Sequence, residues 1–203
     1  MSRLTVGSIE GLVENSNVVS VPTGHSLNVA DAGALQIGGS GVGLVFISRT
    51  TIGTAVSSVT VSDCFSSTYD NYRIVSNVGP TSGNEWIHVK IGTATTGYYT
   101  ALTGGLGYNI TYGANVIAYG YQNQSSGQYL LGGSYTTTMG AVLEVQSPFL
   151  ATQTKIQALL TNSYTPRLAG LFLDDTDSHT SITLESAGGT ITGGTIDVYG
   201  YIT

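Results

Sequence analysis

The chain has 203 residues, a net charge of −6 and an isoelectric point near 4.7, and 28 of its residues are Gly. Charged residues make up only 9%, against about 25% in an average globular domain, and the six Lys and Arg are scattered, so phosphate-backbone binding and a basic membrane-surface helix both lack an electrostatic basis. Residues 1–11 lack the layout of a signal peptide, no apolar run approaches the ~20 residues of a membrane-spanning helix, and the lone Cys64 can make no internal disulfide.

Hydrophobic residues make up 41% of the chain, many of them β-branched, which argues for a packed β-protein. The low charge is what a tight oligomer, with little exposed surface per chain, would show. Near the start, Val19-x-Val21, Leu27-x-Val29 and Leu35-x-Ile37 recur every eight residues. Turn-prone Pro22-Thr23-Gly24 and Asp31-Ala32-Gly33 lie between them. Each unit reads as a very short strand and a turn, and such units must stack on neighbours to bury their apolar side. Gly38-Gly39-Ser40-Gly41 then reads as a hinge. The expected division is an attachment and trimerisation segment, 1–43, with a repeat or prism-like character, followed by a domain at 44–203.

From Leu44 onward the pattern alternates with period two. Strands are expected over 59–65, 72–76, 85–91, 115–121, 140–146, 155–160, 169–174 and 182–185. A closing strand places Ile196, Val198, Gly200 and Ile202 on one face and Asp197, Tyr199 and Tyr201 on the other. No window holds a capped helical period. The expectation is an all-β fold, an antiparallel jelly-roll sandwich.

Between Lys90 and Glu144 there is no Asp, Glu, Lys, Arg or His, yet eight of the 13 Tyr fall there. That removes most acid–base chemistry from the middle of the protein and leaves large amphipathic side chains suited to neutral or protein partners. A serine triad needs a His held by an acid and touching the nucleophile. His25, His88 and His179 are the only histidines, and none sits in a pattern that predicts one. Asp174-Asp175-Thr176-Asp177, near His179, could hold a hard cation through oxygen, but it lacks the Gly and closing Glu of a calcium loop and reads as a solvated turn. No catalytic residue, cofactor or metal is therefore expected. The ligand-contact candidates are Tyr98, Tyr99, Tyr108 and Tyr112, read as lying in glycine-rich loops, together with Trp86, read as facing away from the core. Tyr119 and Tyr121 read as strand residues that pack.

Phe65-Ser66-Ser67-Thr68-Tyr69-Asp70-Asn71-Tyr72-Arg73-Ile74-Val75 resembles a strand opening of C-terminal jelly-roll domains in virion proteins of tailed bacteriophages. The closing Gly194-Thr195-Ile196-Asp197-Val198-Tyr199-Gly200-Tyr201 fits the same pattern. Residues 4–12 and 21–27 are similar to the start of fibre-like phage proteins, cyanophages especially. The resemblance implies a homotrimeric appendage on the virion, attached to other virion proteins through its N-terminal segment. It would adhere to host surface glycan or protein without catalysis. A capsid-surface decoration or cement protein is the alternative, and a glycan-cleaving appendage using Asp174, Asp175 or Asp177 a further one. No nucleic-acid partner or membrane insertion is expected.

Overall fold

The structure, a computed structural model, describes residues 23–24, 36–37, 40–41, 43–79, 81–82, 86–104, 117–131, 138–161 and 166–202. The chain divides into two compact units, Met1–Leu35 and Gln36–Thr203. In the first, Thr23 and Gly24 form a turn, with Gly24 at φ 85°, where the sequence reads Pro-Thr-Gly. The rest of the eight-residue repeat up to Leu35 lies outside the described residues.

The second unit opens with β1 (Gln36–Ile37) and β2 (Ser40–Gly41), which pair antiparallel. The small-residue stretch read as a hinge thus contributes a strand. Two antiparallel sheets follow in a sandwich-like arrangement. The larger has eight strands: β3 (Leu44–Thr51), β5 (Asn71–Val78), β7 (Tyr98–Gly104), β8 (Ile117–Gln124), β10 (Met139–Gln146), β11 (Thr154–Thr161), β12 (Pro166–Leu173) and β14 (Gly194–Tyr201). Their order across the sheet is β3-β14-β5-β10-β11-β12-β7-β8. The smaller sheet runs β4-β13-β6-β9, from β4 (Ser58–Val61), β6 (Ile87–Ile91), β9 (Gly127–Leu131) and β13 (Ile182–Ser186).

Strand parity decides what is buried. Tyr72, Ile74 and Val78 of β5, Leu143 and Val145 of β10, Ile156 and Leu160 of β11, and Ile196 and Val198 of β14 face inward. They share one core with Ile87, Val89 and Ile91 of β6, and Ile182 and Leu184 of β13. Each fully buried Ile, Leu or Val contributes roughly 1.5–3 kcal/mol. A one-residue slip would exchange this set for the opposite face, so the register is strongly specified.

Two tyrosines fasten loops to the core. The Tyr72 hydroxyl accepts from the Ser66 N–H at 2.7 Å and donates to the Ser66 carbonyl at 2.8 Å. Its ring meets Phe65 and Tyr69 edge-on, at 4.8 and 6.0 Å. Tyr69 in turn lies over Gly200, where a Cβ would stand 2.5 Å from the ring. The Tyr98 hydroxyl repeats the device with Ile91, accepting its N–H at 2.8 Å and donating to its carbonyl at 3.3 Å. The stretch from Phe65 to Tyr72 is therefore a closed loop.

Candidate functional site

Of the expected ligand-contact residues, Tyr98, Tyr99 and Trp86 are described. Tyr98 and Tyr99 open β7, where a loop was expected, so as strand neighbours they face opposite ways. Tyr98 is fully buried with its hydroxyl engaged, which corrects its reading as an exposed contact. Tyr99 faces the other way and stacks on Phe172 with ring centroids 4.6 Å apart and planes 3° apart. Trp86 is half-buried just before β6, and its carbonyl accepts from the Ala187 N–H at 2.9 Å. Tyr108 and Tyr112 lie outside the described residues. The register sets Tyr119 and Tyr121 of β8 opposite Leu102 and Thr100 of β7.

The histidines fall in two places, and His25 lies outside the described residues. His88 Nδ1 is 3.3 Å from Ser126 Oγ, on a strand residue paired with Glu185. Burial holds the His88 imidazolium below its ordinary pKa. Ser126 is itself buried at 1% exposure, and Glu185 carries the Lys90 ammonium at 2.7 Å. His179 is buried against Gly92, and its main-chain N–H donates to the Pro148 carbonyl at 2.8 Å. Its Nε2 lies 3.6 Å from Asp175 Oδ2. In the neighbouring acidic turn, Asp174 accepts from the Gln153 amide and Asp175 from the Asp177 N–H, each at 2.6 Å. Among the described residues no group of three or more His, Cys, Asp or Glu is placed to hold a metal ion.

The most developed surface is the outer face of the eight-stranded sheet. Antiparallel register lines up its side chains in rows across the strands. One row runs Ala101, Gly170, Gln157, Glu144, Arg73, Tyr199, Phe46. The next runs Leu168, Leu159, Val142, Val75, Asp197, Arg49. The small Ala101 and Gly170 beside the tall Leu159 and Leu168 leave a concavity of about 590 Å³, which Arg73, Glu144, Gln157 and Val142 also line. Phe46 against Tyr199, at 5.6 Å, flanks the face on one side, and the Tyr99–Phe172 stack flanks it on the other.

The charges on this face are engaged with one another. Arg49 forms a two-pronged pair with Asp197, at 2.6 and 2.7 Å. That guanidinium bond and charge hold the Asp197 carboxyl below the usual carboxylate range. Arg73 donates to Glu144 Oε1 through both Nε and Nη2, and the Tyr201 hydroxyl donates to Oε2 at 2.7 Å. Both Glu144 oxygens are therefore occupied. The bond to Glu144 raises the Tyr201 hydroxyl pKa. Apart from these pairs the face presents apolar, aromatic and amide groups.

Sequence reasoning missed Phe46, Leu159, Leu168 and Phe172. The signal was present in Ala158-Leu159-Leu160 and Leu171-Phe172-Leu173. Once one parity is assigned to the core, the middle residue of each triplet must face out. Comparison with protein-family models, curated proteins and solved structures returned no match.

Proposed function

We propose that this protein is a structural virion protein of a tailed bacteriophage, a fibre-type appendage that works as a homotrimer and adheres to the host surface without catalysis. Its N-terminal segment would attach to other virion proteins. The host ligand would be an uncharged glycan or a protein, because residues 91–143 carry no charged side chain or His. Many weak sites on one particle would act together.

The jelly-roll part of this reading rests on strand order. With β7, β8, β11 and β12 set aside as two inserted hairpins, the remaining eight strands of the sandwich run 1-8-3-6 in one sheet and 2-7-4-5 in the other. The pairs 1-8, 2-7, 3-6 and 4-5 follow one another as the rungs of a long hairpin wound into two sheets would, and that order supports the jelly-roll reading.

The observation that carries the functional reading is the outer sheet face, which is exposed, rich in apolar side chains and has four of its five described charges joined in pairs. A surface of that kind suits assembly and adhesion. Fluorescently labelled protein applied to a panel of bacterial cells, cyanobacteria included, tests the proposal. Saturable staining of a host, with no sugar released from it, is expected. Binding to phage capsids with no cell staining would overturn the fibre reading in favour of capsid decoration.

A further inference from the structure

Among the described residues, seven large hydrophobic side chains are exposed, and six lie on the outer face of the eight-stranded sheet: Leu44, Phe46, Val75, Leu159, Leu168 and Phe172. We propose that this face is the contact between copies of the chain, packing against a second copy in a closed homo-oligomer. The proposal rests on the homotrimer reading above and assigns the surface that would hold it together.

The first argument is area. These six side chains are between 36% and 60% exposed. At roughly 150–250 Å² for a large side chain, they offer together about 500 Å² of apolar surface. A stable interface takes about 800 Å² from each partner, of which up to about 65% is apolar in homodimers. The face therefore supplies nearly the whole apolar share of one partner's side.

The second argument is charge. On a chain of net charge −6, most surfaces repel a second copy. The described charges of this face are Arg49, Arg73 and Lys155 against Asp197 and Glu144, a slight cationic excess. Four of the five are already joined in the Arg49–Asp197 and Arg73–Glu144 pairs. Docking leaves those pairs intact, so Lys155 is the one described charge of the face that a second copy must leave hydrated at the rim. A strongly charged partner would find little here to pair with.

The third is construction. Leu159, Leu168, Phe172 and the small Ala101 and Gly170 belong to β11, β12 and β7, the strands that widen this sheet to eight against four in the other. The widening creates both the concavity and the leucines beside it. Knob and hollow on one face are what interdigitation with a neighbouring copy requires.

The test is the mass of the full-length protein in solution, by sedimentation equilibrium from 1 to 100 µM, alongside its cell staining. The wild type is expected as a closed oligomer. The double change Leu159→Glu, Leu168→Glu is expected to give monomer, raising the dissociation constant by about a hundredfold or more. Leu159→Thr with Leu168→Thr keeps strand-forming residues and serves if the Glu pair fails to fold. Leu150→Glu, an exposed leucine in the β10–β11 connection, should leave the mass unchanged. A monomeric wild type, or an oligomer that survives both double changes, overturns the proposal. A monomeric wild type whose cell staining is lost with the same changes assigns the face to a host ligand instead. An oligomer lost in the variants, with no staining of any cell, keeps the interface and defeats the adhesion reading.

Discussion

Replacing Tyr98 with Phe removes one oxygen and leaves the Ile91 N–H without its partner, while the Ile91 carbonyl still accepts from the Ala94 N–H at 3.3 Å. Ile91 is fully buried, so its N–H cannot turn to water. A buried polar group left unsatisfied costs about 1–3 kcal/mol. With the strong 2.8 Å bond dominating, the expected cost is about 3 kcal/mol. Tyr72→Phe breaks bonds of similar length to Ser66, but Ser66 is half-exposed and water can replace the hydroxyl. About 1 kcal/mol is expected there. At about 2–4 °C per kcal/mol for a domain of this size, Tyr98→Phe should lower Tm by about 6–12 °C and Tyr72→Phe by about 2–4 °C. Urea unfolding at fixed protein concentration measures both, since oligomerisation would shift the midpoint with concentration. Burial also pushes the Tyr98 hydroxyl up to about 12. The unfolded phenol ionises near 10, so this group's stabilisation is full below pH 10 and is lost as pH rises toward 12. Tyr98→Phe should remove that alkaline loss. Costs in the reverse order, or both below about 0.5 kcal/mol, would refute the view that these hydroxyls fasten loops to buried backbone.

Three further outcomes follow from single sites. Gly194 has φ 114°, and a Cβ there would overlap the Asn77 carbonyl oxygen. Gly194→Ala should therefore cost about 3 kcal/mol or more in urea unfolding, whereas Gly170→Ala, with open space around its Cβ, should stay within about 0.5 kcal/mol. Asp197, held below the usual carboxylate range by Arg49, stabilises the fold above its unfolded pKa near 3.8 and loses that contribution as pH falls further. Asp197→Asn should flatten the acid side of a stability–pH curve below about pH 4. Burial raises the Cys64 thiol to about 12, and its Sγ lies 3.3 Å from the Val61 carbonyl. It should resist a thiol reagent at pH 8 until denaturant is added.

Where one strand face is buried and the other polar, the sequence was readable almost to the residue. β10, β11 and β14 fall within a residue or two of expectation, because alternation is set by the same burial that holds the register. The misses have physical causes. The strand expected over 59–65 ends at Val61, since Asp63 turns at φ 52° while Phe65 keeps the apolar alternation going. β7 was read as loop because glycines flank Tyr98 and Tyr99, yet Gly97, at φ 86°, serves as the turn that starts the strand. The outer face went unread because it has no motif. It exists only when register aligns Leu168, Leu159, Val142 and Val75, four residues from four separate strands.

The absence of charge through the middle of the chain takes on a more specific meaning once parity is known. The inner positions of β7 and β10 must be uncharged for the core, which explains half of the pattern. Their outer positions, Tyr99, Ala101, Gly140 and Val142, have no such obligation, and a solvated sheet face would ordinarily place Lys, Glu or Thr there. Among the described residues, charges return on this face only as Arg73 with Glu144 and Arg49 with Asp197, each consumed by its neighbour, and as Lys155 on β11. A sheet selected only for solubility would gain from unpaired charges in these rows, because they raise repulsion between copies. Inserting one tests that reasoning. Val142→Lys, at the centre of the apolar row, should leave urea stability within about 1 kcal/mol, since Val142 is half-exposed. It should cost at least about tenfold in self-association, because an unpaired ammonium would be desolvated at the contact. Equal association by the variant and the wild type would mean that the missing charges answer to something other than a neighbouring copy.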